Sequence, residues 1–151
     1  HKWLEKTNGT WEAEMSQWMD PAAPPEKSKA SISQSSALGG RYVIGKYSGF
    51  TMGKAMQGMS IMGYDNAKKI FVSTWIDDQG TGISRMNGTY DETTKTLNLK
   101  GYQTDPGTGR DMEIREEMTM LDDDSYTMAI YGTGMDGKEM KYMEGTFKRK
   151  K

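Results

Sequence analysis

The chain of 151 residues contains no cysteine and a single histidine, His1. Without thiols there is no disulfide framework, thiol nucleophile, iron–sulfur cluster or Cys-ligated zinc. One terminal histidine offers neither a late-strand ligand for haem nor a histidine set for zinc, so no metal and no cofactor is expected. Leu, Ile, Val and Phe together number only 18, about 12% of the chain, a level at which many chains cannot fold. No apolar run approaches the ~20 residues of a membrane-spanning helix, so no transmembrane segment is expected. The start, His1-Lys2-Trp3-Leu4, lacks the regions of a signal peptide. Charge of one sign is missing too: 20 basic residues balance 21 acidic ones, and the only basic cluster is Lys148-Arg149-Lys150-Lys151. A nucleic-acid partner needs a basic face and is not expected. There is no Walker A loop, no G-x-S-x-G elbow and no H-E-x-x-H, so phosphate cradles, serine hydrolases of that class and common metallopeptidases have no support.

The apolar mass comes instead from 14 Met, 8 Tyr and 4 Trp, and with a net charge of −1 the chain lacks the signature of disorder. One domain over residues 1–151 is expected, burying roughly 70% of the surface of the unfolded chain. Eighteen glycines disfavour long helices, each costing about 1 kcal/mol in a helix interior; helix is expected only as a turn near residues 1–7.

Turn residues punctuate the second half at regular intervals: Asp65-Asn66, Asp78-Gln79-Gly80, Asp91-Glu92-Thr93, Asp105-Pro106-Gly107, Asp122-Asp123-Asp124 and Asp136-Gly137. Such spacing fits one strand plus one tight turn each time. Lys69–Ile76, Lys95–Lys100 and Ser125–Tyr131 have strand composition. Earlier strands are expected at Thr10–Met19, Glu26–Ser36, Arg41–Phe50 and Met56–Tyr64, with Gly58 and Gly63 as bends. The loop Asp20-Pro21-Ala22-Ala23-Pro24-Pro25 reads as a rigid crossover. The fold expected is all-β: a single antiparallel up-and-down barrel of about nine or ten strands, since a sheet of that size tends to close and so remove its edges.

Gly9-Thr10-Trp11 is a G-x-W arrangement at the entrance to the first strand. In lipocalin-type barrels such an indole plugs one end beneath a cation from the last strand, here Lys148 or Arg149. With that motif, the runs Gly63-Tyr64-Asp65-Asn66, Val72-Ser73-Thr74-Trp75-Ile76-Asp77, Gly88-Thr89-Tyr90-Asp91 and Asp136-Gly137-Lys138-Glu139 resemble the bacterial DUF1579 family of uncharacterised proteins. The resemblance implies a lipocalin-like barrel and a bacterial origin, and brings no catalytic residues. Family members often look exported; together with a start lacking Met, this leans the expectation toward a periplasmic or secreted protein whose signal has been removed, with the compartment otherwise open.

Met112, Met118 and Met120 share a strand face with Ile114, and Met56 and Met62 share another. Their thioethers read as core filler, as an adaptable pocket for an apolar ligand, or as copper(I) ligands. Glu116 falls on the same face, where a carboxylate must find a partner or shift its pKa; Arg41 and Arg85 are the candidate partners. Glu144, in phase with Met140 and Tyr142, is a similar case. The sequons at Asn8 and Asn87 are explained by turn chemistry. The expected function is binding of a small, mainly apolar ligand in the lumen, with Trp75, Tyr47, Met118, Tyr131 and Met112 as walls and Glu116 and Arg41 as polar anchors. The alternative is a structural or interaction protein with a side-chain-filled barrel. Ile70–Ile76 is apolar on both faces, which would suit a homo-oligomer. An enzyme ranks third, with no catalytic residue assigned.

Overall fold

Alternation of apolar and polar residues, rather than any long hydrophobic run, sets the architecture. A computed structural model describes residues 2–51, 53–105, 107–134 and 137–150; His1, Pro106 and Asp136, which figure in the motifs above, lie outside the described residues. After one short helix, α1 (Lys2–Glu5), come ten strands: β1 (Gly9–Gln17), β2 (Glu26–Ala37), β3 (Tyr42–Thr51), β4 (Lys54–Asp65), β5 (Ile70–Asp77), β6 (Ser84–Asp91), β7 (Thr96–Thr104), β8 (Asp111–Asp122), β9 (Ser125–Thr133) and β10 (Glu139–Arg149). Each pairs antiparallel with its sequence neighbours, and β1 pairs with β10, so the sheet closes into an up-and-down barrel.

Aspartates start the turns by the expected chemistry. The Oδ1 atoms of Asp65, Asp91, Asp105 and Asp122 each accept a backbone N–H two residues on, at 2.8–2.9 Å. After Trp75 the turn is set by Asp77, which accepts from Gln79, while the neighbouring Asp78 accepts from the backbone of Gln57 across the hairpin. The proline-rich segment 18–25 joins β1 to its own neighbour β2 and is therefore a hairpin connection, not the expected crossover. Strand β7 runs on to Thr104, beyond the expected Lys100, because Gly101 does not break it. A Cβ on Gly101 would collide with the Arg85 carbonyl, and one on Gly88 with that of Asn98, so these two glycines let β6 and β7 approach at a barrel corner. At Gly58 and Gly63 no register shift occurs: the ladder with β3 runs past both, and that with β5 begins at Gly58 and runs past Gly63.

The end nearest α1 is filled. Trp3 and Leu4 enter from below, and Trp3 meets Phe71 and Tyr90 at ring separations of 5.6 Å. Trp11, fully buried, donates Nε1–H to the Thr7 carbonyl at 2.9 Å and packs edge-on to Tyr126, which stacks on Phe147. Arg149 lies over the Trp11 ring at 4.3 Å. Its guanidinium also donates to the carbonyls of Lys6 (3.0 Å), Asp123 (2.9 Å) and Asn8, and to Asp124 Oδ1 (3.1 Å). Of the two cations expected at this position Arg149 is the one used, and the exposed Lys148 points away. Gly9, at φ 121°, stands where a Cβ would come within 2.6 Å of Arg149 Nη1, so the first residue of the G-x-W arrangement is fixed by both its backbone angle and the arginine above it.

Arg149→Lys should lower stability by about 2 kcal/mol, because an ammonium cannot hold four acceptors in one plane while stacking on an indole. Urea unfolding followed by tryptophan fluorescence checks this, with Lys148→Ala as a control expected to change stability by under ~0.5 kcal/mol.

Candidate functional site

At the end opposite α1 the inner face changes character. Trp11, Leu97, Leu99 and Phe147 near the floor are essentially inaccessible, whereas the inward-facing Met56, Trp75, Met112 and Met143, further from α1, are partly exposed; Met62 and Met128, also partly exposed, sit lower, paired with Val43 and Met118. Inward Gln17, Ser28, Asp77, Ser84 and Gln103 mark a polar rim. The lumen therefore opens at this end, with methionines in its throat.

Five of the seven residues singled out from sequence face this lumen. Tyr47 on β3 meets Trp75 on β5 edge-on at 5.7 Å, and the Trp75 indole donates Nε1–H to Asp77 Oδ2 at 2.8 Å. The ring is seated over Gly58, where any Cβ would overlap it. Met112, Glu116 and Met118 project inward from β8 with Ile114 and Met120, as the alternation on that strand dictates. The other two residues are elsewhere. Tyr131 pairs with Arg115 on the outer face, where the guanidinium sits 4.0 Å above its ring and bridges Glu139 (2.7 Å) and Glu117. Because β9 carries apolar residues on both faces, only its pairing with β8 fixes which ones turn inward. Arg41 is exposed in the turn before β3 and Arg85 is exposed on the outside of β6, so neither reaches Glu116. Glu144 is also outside: a bulge between Lys141 and Met143 shifts the register of β10, and the carboxylate pairs with Lys141 at 2.9 Å.

Glu116 is 7% exposed, and within the described residues no hydrogen bond or ion pair reaches it. Burial alone pushes its carboxyl up to about 7. The titratable groups in inward phase are Tyr47, Tyr64, Tyr90 and Tyr126, with Asp77 and Glu26 at the mouth and Arg149 committed at the floor. Burial raises Tyr126 further above its ordinary value, Glu116 adds to that shift, and its hydroxyl accepts from Gln34 at 3.3 Å. Burial also raises Tyr47, whose hydroxyl has no partner. Sequence reasoning missed Met86 and Ser28 on the inner face and the seat at Gly58. Met86 and Ser28 were legible in the period-two phase of β6 and β2, while a seat for a ring is visible only once the strands are paired.

Two clefts are present: one of about 490 Å³ between β3, β4 and β5, lined by Tyr47, Gly58 and Asp77 together with the outward Lys46, Met59 and Ile76, and one of about 290 Å³ at the rim beside Trp18, Pro21 and Met140. Among the described residues no three His, Cys, Asp or Glu side chains gather as a metal-binding set, and no helix is long and apolar enough to cross a membrane.

A closed ten-strand meander with an indole and arginine at one end and an open, apolar throat at the other is a lipocalin-like barrel. More particularly, the chain belongs to the DUF1579 family, described as proteins of unknown function, which matches residues 1–149. No curated protein matches the sequence. Among solved structures it resembles Rv2717c from M. tuberculosis, with TM-score 0.75, 11% identity and coverage of 99% of this chain and 96% of the other. It also resembles the S-type phycobiliprotein lyase CPES from Guillardia theta (TM-score 0.66, 11% identity, 99% and 92% covered) and a redesigned β-barrel (TM-score 0.50, 15% identity, 98% and 95% covered). At these identities the likeness is one of fold.

Glu116 gives stability a pH dependence of definite sign. Below about 4.5 the carboxyl is protonated in both states. Between about 4.5 and 7 the unfolded chain releases a proton that the folded chain retains, so stability falls as pH rises and levels off above about 7. This contribution amounts to roughly 3 kcal/mol. Glu116→Gln should therefore gain on the native protein by that order between pH ~4.5 and ~8, measured as the difference in urea-unfolding free energy at the two pH values; equal pH responses would refute the burial.

Proposed function

We propose that the barrel binds a small, mainly apolar molecule in its lumen, entering past the methionine throat. The observation that carries this reading is that the inward-facing Met56, Met112, Met143 and Trp75, toward the end opposite α1, are partly exposed, while Trp11, Tyr126 and Phe147 are sealed at the α1 end. Methionines rearrange around an unbranched chain at low cost, and an indole braced by Tyr47 and Asp77 gives a rigid wall. A barrel of this kind also occurs in a protein named as a phycobiliprotein lyase. Trp75, Tyr47, Met118, Met112 and Glu116 are the residues proposed to meet the ligand.

The second reading is an interaction protein whose lumen is filled by its own side chains. It draws on Met59, Ile61 and Ile76, which are 40–46% exposed on adjoining outer positions of β4 and β5 and would suit a second copy of the chain.

Titration with decanol, an uncharged apolar chain, separates the two. Saturable change in tryptophan emission is expected, absent in Trp75→Phe, where Trp3, Trp11 and Trp18 still emit; Trp75→Ala should weaken binding about tenfold, measured by calorimetry. No saturable signal across a panel of chains and rings would favour the filled barrel.

A further inference from the structure

The outer wall of the barrel is divided. Outward positions of β8, β10 and β1 carry Arg115, Glu117, Lys141, Glu144, Glu12 and Glu14, a solvated and partly ion-paired surface. On β3, β4 and β5 the same positions form apolar rows. Ile61 pairs with Ile44 on one side and Thr74 on the other; one row nearer the mouth, Met59 pairs with Lys46 and Ile76. Met59, Ile61 and Ile76 are large apolar side chains left open to solvent. The charged side chains at outward positions of these three strands are Lys46 and, at the α1 end, Asp65, whose carboxylate is tied into its own turn by the backbone of Ala67 and Lys68. β2 extends the face with Ser31, Ser33 and Ser35, and β6 with Arg85, Asn87 and Thr89.

Size and shape both bear on what covers such a face. From Tyr42 to Phe50 it runs eight residue steps of ~3.3 Å, and five strands ~4.8 Å apart make it about 24 Å wide, so its flat projection alone is roughly 600 Å². That is of the order of the ~800 Å² that each partner gives to a standard interface. The face also holds a hollow and a projection on one strand. The cleft of about 490 Å³ spans Gln57–Met59 of β4, with Lys46 and Ser48 on one side and Ile76 on the other. Ile61, 46% exposed, stands two residues beyond Met59 toward α1, outside the cleft. A two-fold axis crossing β4 between Met59 and Ile61 exchanges the two, so that each copy offers its Ile61 to the other's cleft. A symmetric contact requires this self-complementarity. A face with so little charge does not select an oppositely charged partner, whereas homodimer interfaces are the more apolar class.

We propose that the chain forms a symmetric dimer through the outer face of β3, β4 and β5, with β4 against β4 and Ile61 of each copy seated in the cleft of the other. Lys46, on the wall of the cleft, lays its aliphatic stem along the contact and keeps its ammonium at the edge. The dimer rests on the exposed outer face that the interaction reading invokes, but not on a filled lumen. Contact through the wall leaves the mouth open, so the dimer is compatible with a bound ligand. Sedimentation reads the dimer and decanol reads the lumen, so either can fail without the other.

The test is sedimentation equilibrium of the native protein from about 1 to about 100 μM, over which an associating chain changes its mean mass. Twice the mass of one chain is expected at the upper end. Ile61→Lys, which places a charge at the centre of the contact, should raise the dissociation constant at least about tenfold. Ser48→Trp, which fills the cleft from its wall with an uncharged ring, should do the same by steric exclusion. Leu121→Lys, at a 55% exposed position of β8 outside the face, should leave the constant within about twofold. Far-UV circular dichroism checks that each variant keeps the strand spectrum, and Met59→Lys replaces Ile61→Lys should that variant lose it. A native protein that is monomeric at about 100 μM overturns the dimer, even one that binds lipid vesicles or another protein instead. A dimer that survives either Ile61→Lys or Ser48→Trp is built on another contact, and overturns the proposal equally.

Discussion

A meander of ten strands has two free edges until its first strand finds its last, and the rest of this structure depends on that seam. β1 and β10 pair over seven positions from Trp11–Arg149 to Gln17–Met143, joining the two ends of the chain. Arg149 fixes the register there by stacking on Trp11 while binding carbonyls of the α1 segment and of the β8–β9 turn. Once the seam is closed, every strand has two neighbours, no edge is open to aggregation, and the direction of each side chain follows from its phase. The sealed floor and the open throat follow from the same closure, because α1 can cap only one end.

Composition explains how so few branched aliphatic residues suffice. Aromatic rings fill the floor, where contacts are fixed: Tyr126 stacks on Phe147 at 4.6 Å and Tyr64 meets Phe71 at 4.9 Å. Flexible thioethers fill the space between them, with Met15, Met86, Met118 and Met120 buried in the core and Met56, Met112 and Met143 partly exposed toward the mouth. Glu116 runs against this economy. A buried carboxyl without a partner costs stability at neutral pH, and a glutamine or leucine would remove the cost, so its place in the lumen has no structural rationale of its own.

Much of the fold was legible because its signals are local. Asp-led turns, alternation in β2 and β8 and the G-x-W arrangement with a terminal cation each depend on a few neighbouring residues. The site was legible where alternation is clean, as at Glu116 and Met118, and illegible where two faces look alike or the register shifts. Tyr131 sits on a strand apolar on both sides, and its direction is set by Arg115 on the next strand. Glu144 follows a bulge that no turn residue announces. Arg41 is a case of reach: a long side chain one residue before a strand can be imagined inward, yet it stays in solvent.

The central claim is that a carboxyl stands unpaired inside an apolar lumen, and the most direct measurement is the titration of the Glu116 side-chain carboxyl carbon by NMR in the ligand-free protein. A midpoint near 7 is expected, well above its ordinary value. A midpoint near about 4.5, or below, would mean that water or a cation reaches the group, and would contradict the account.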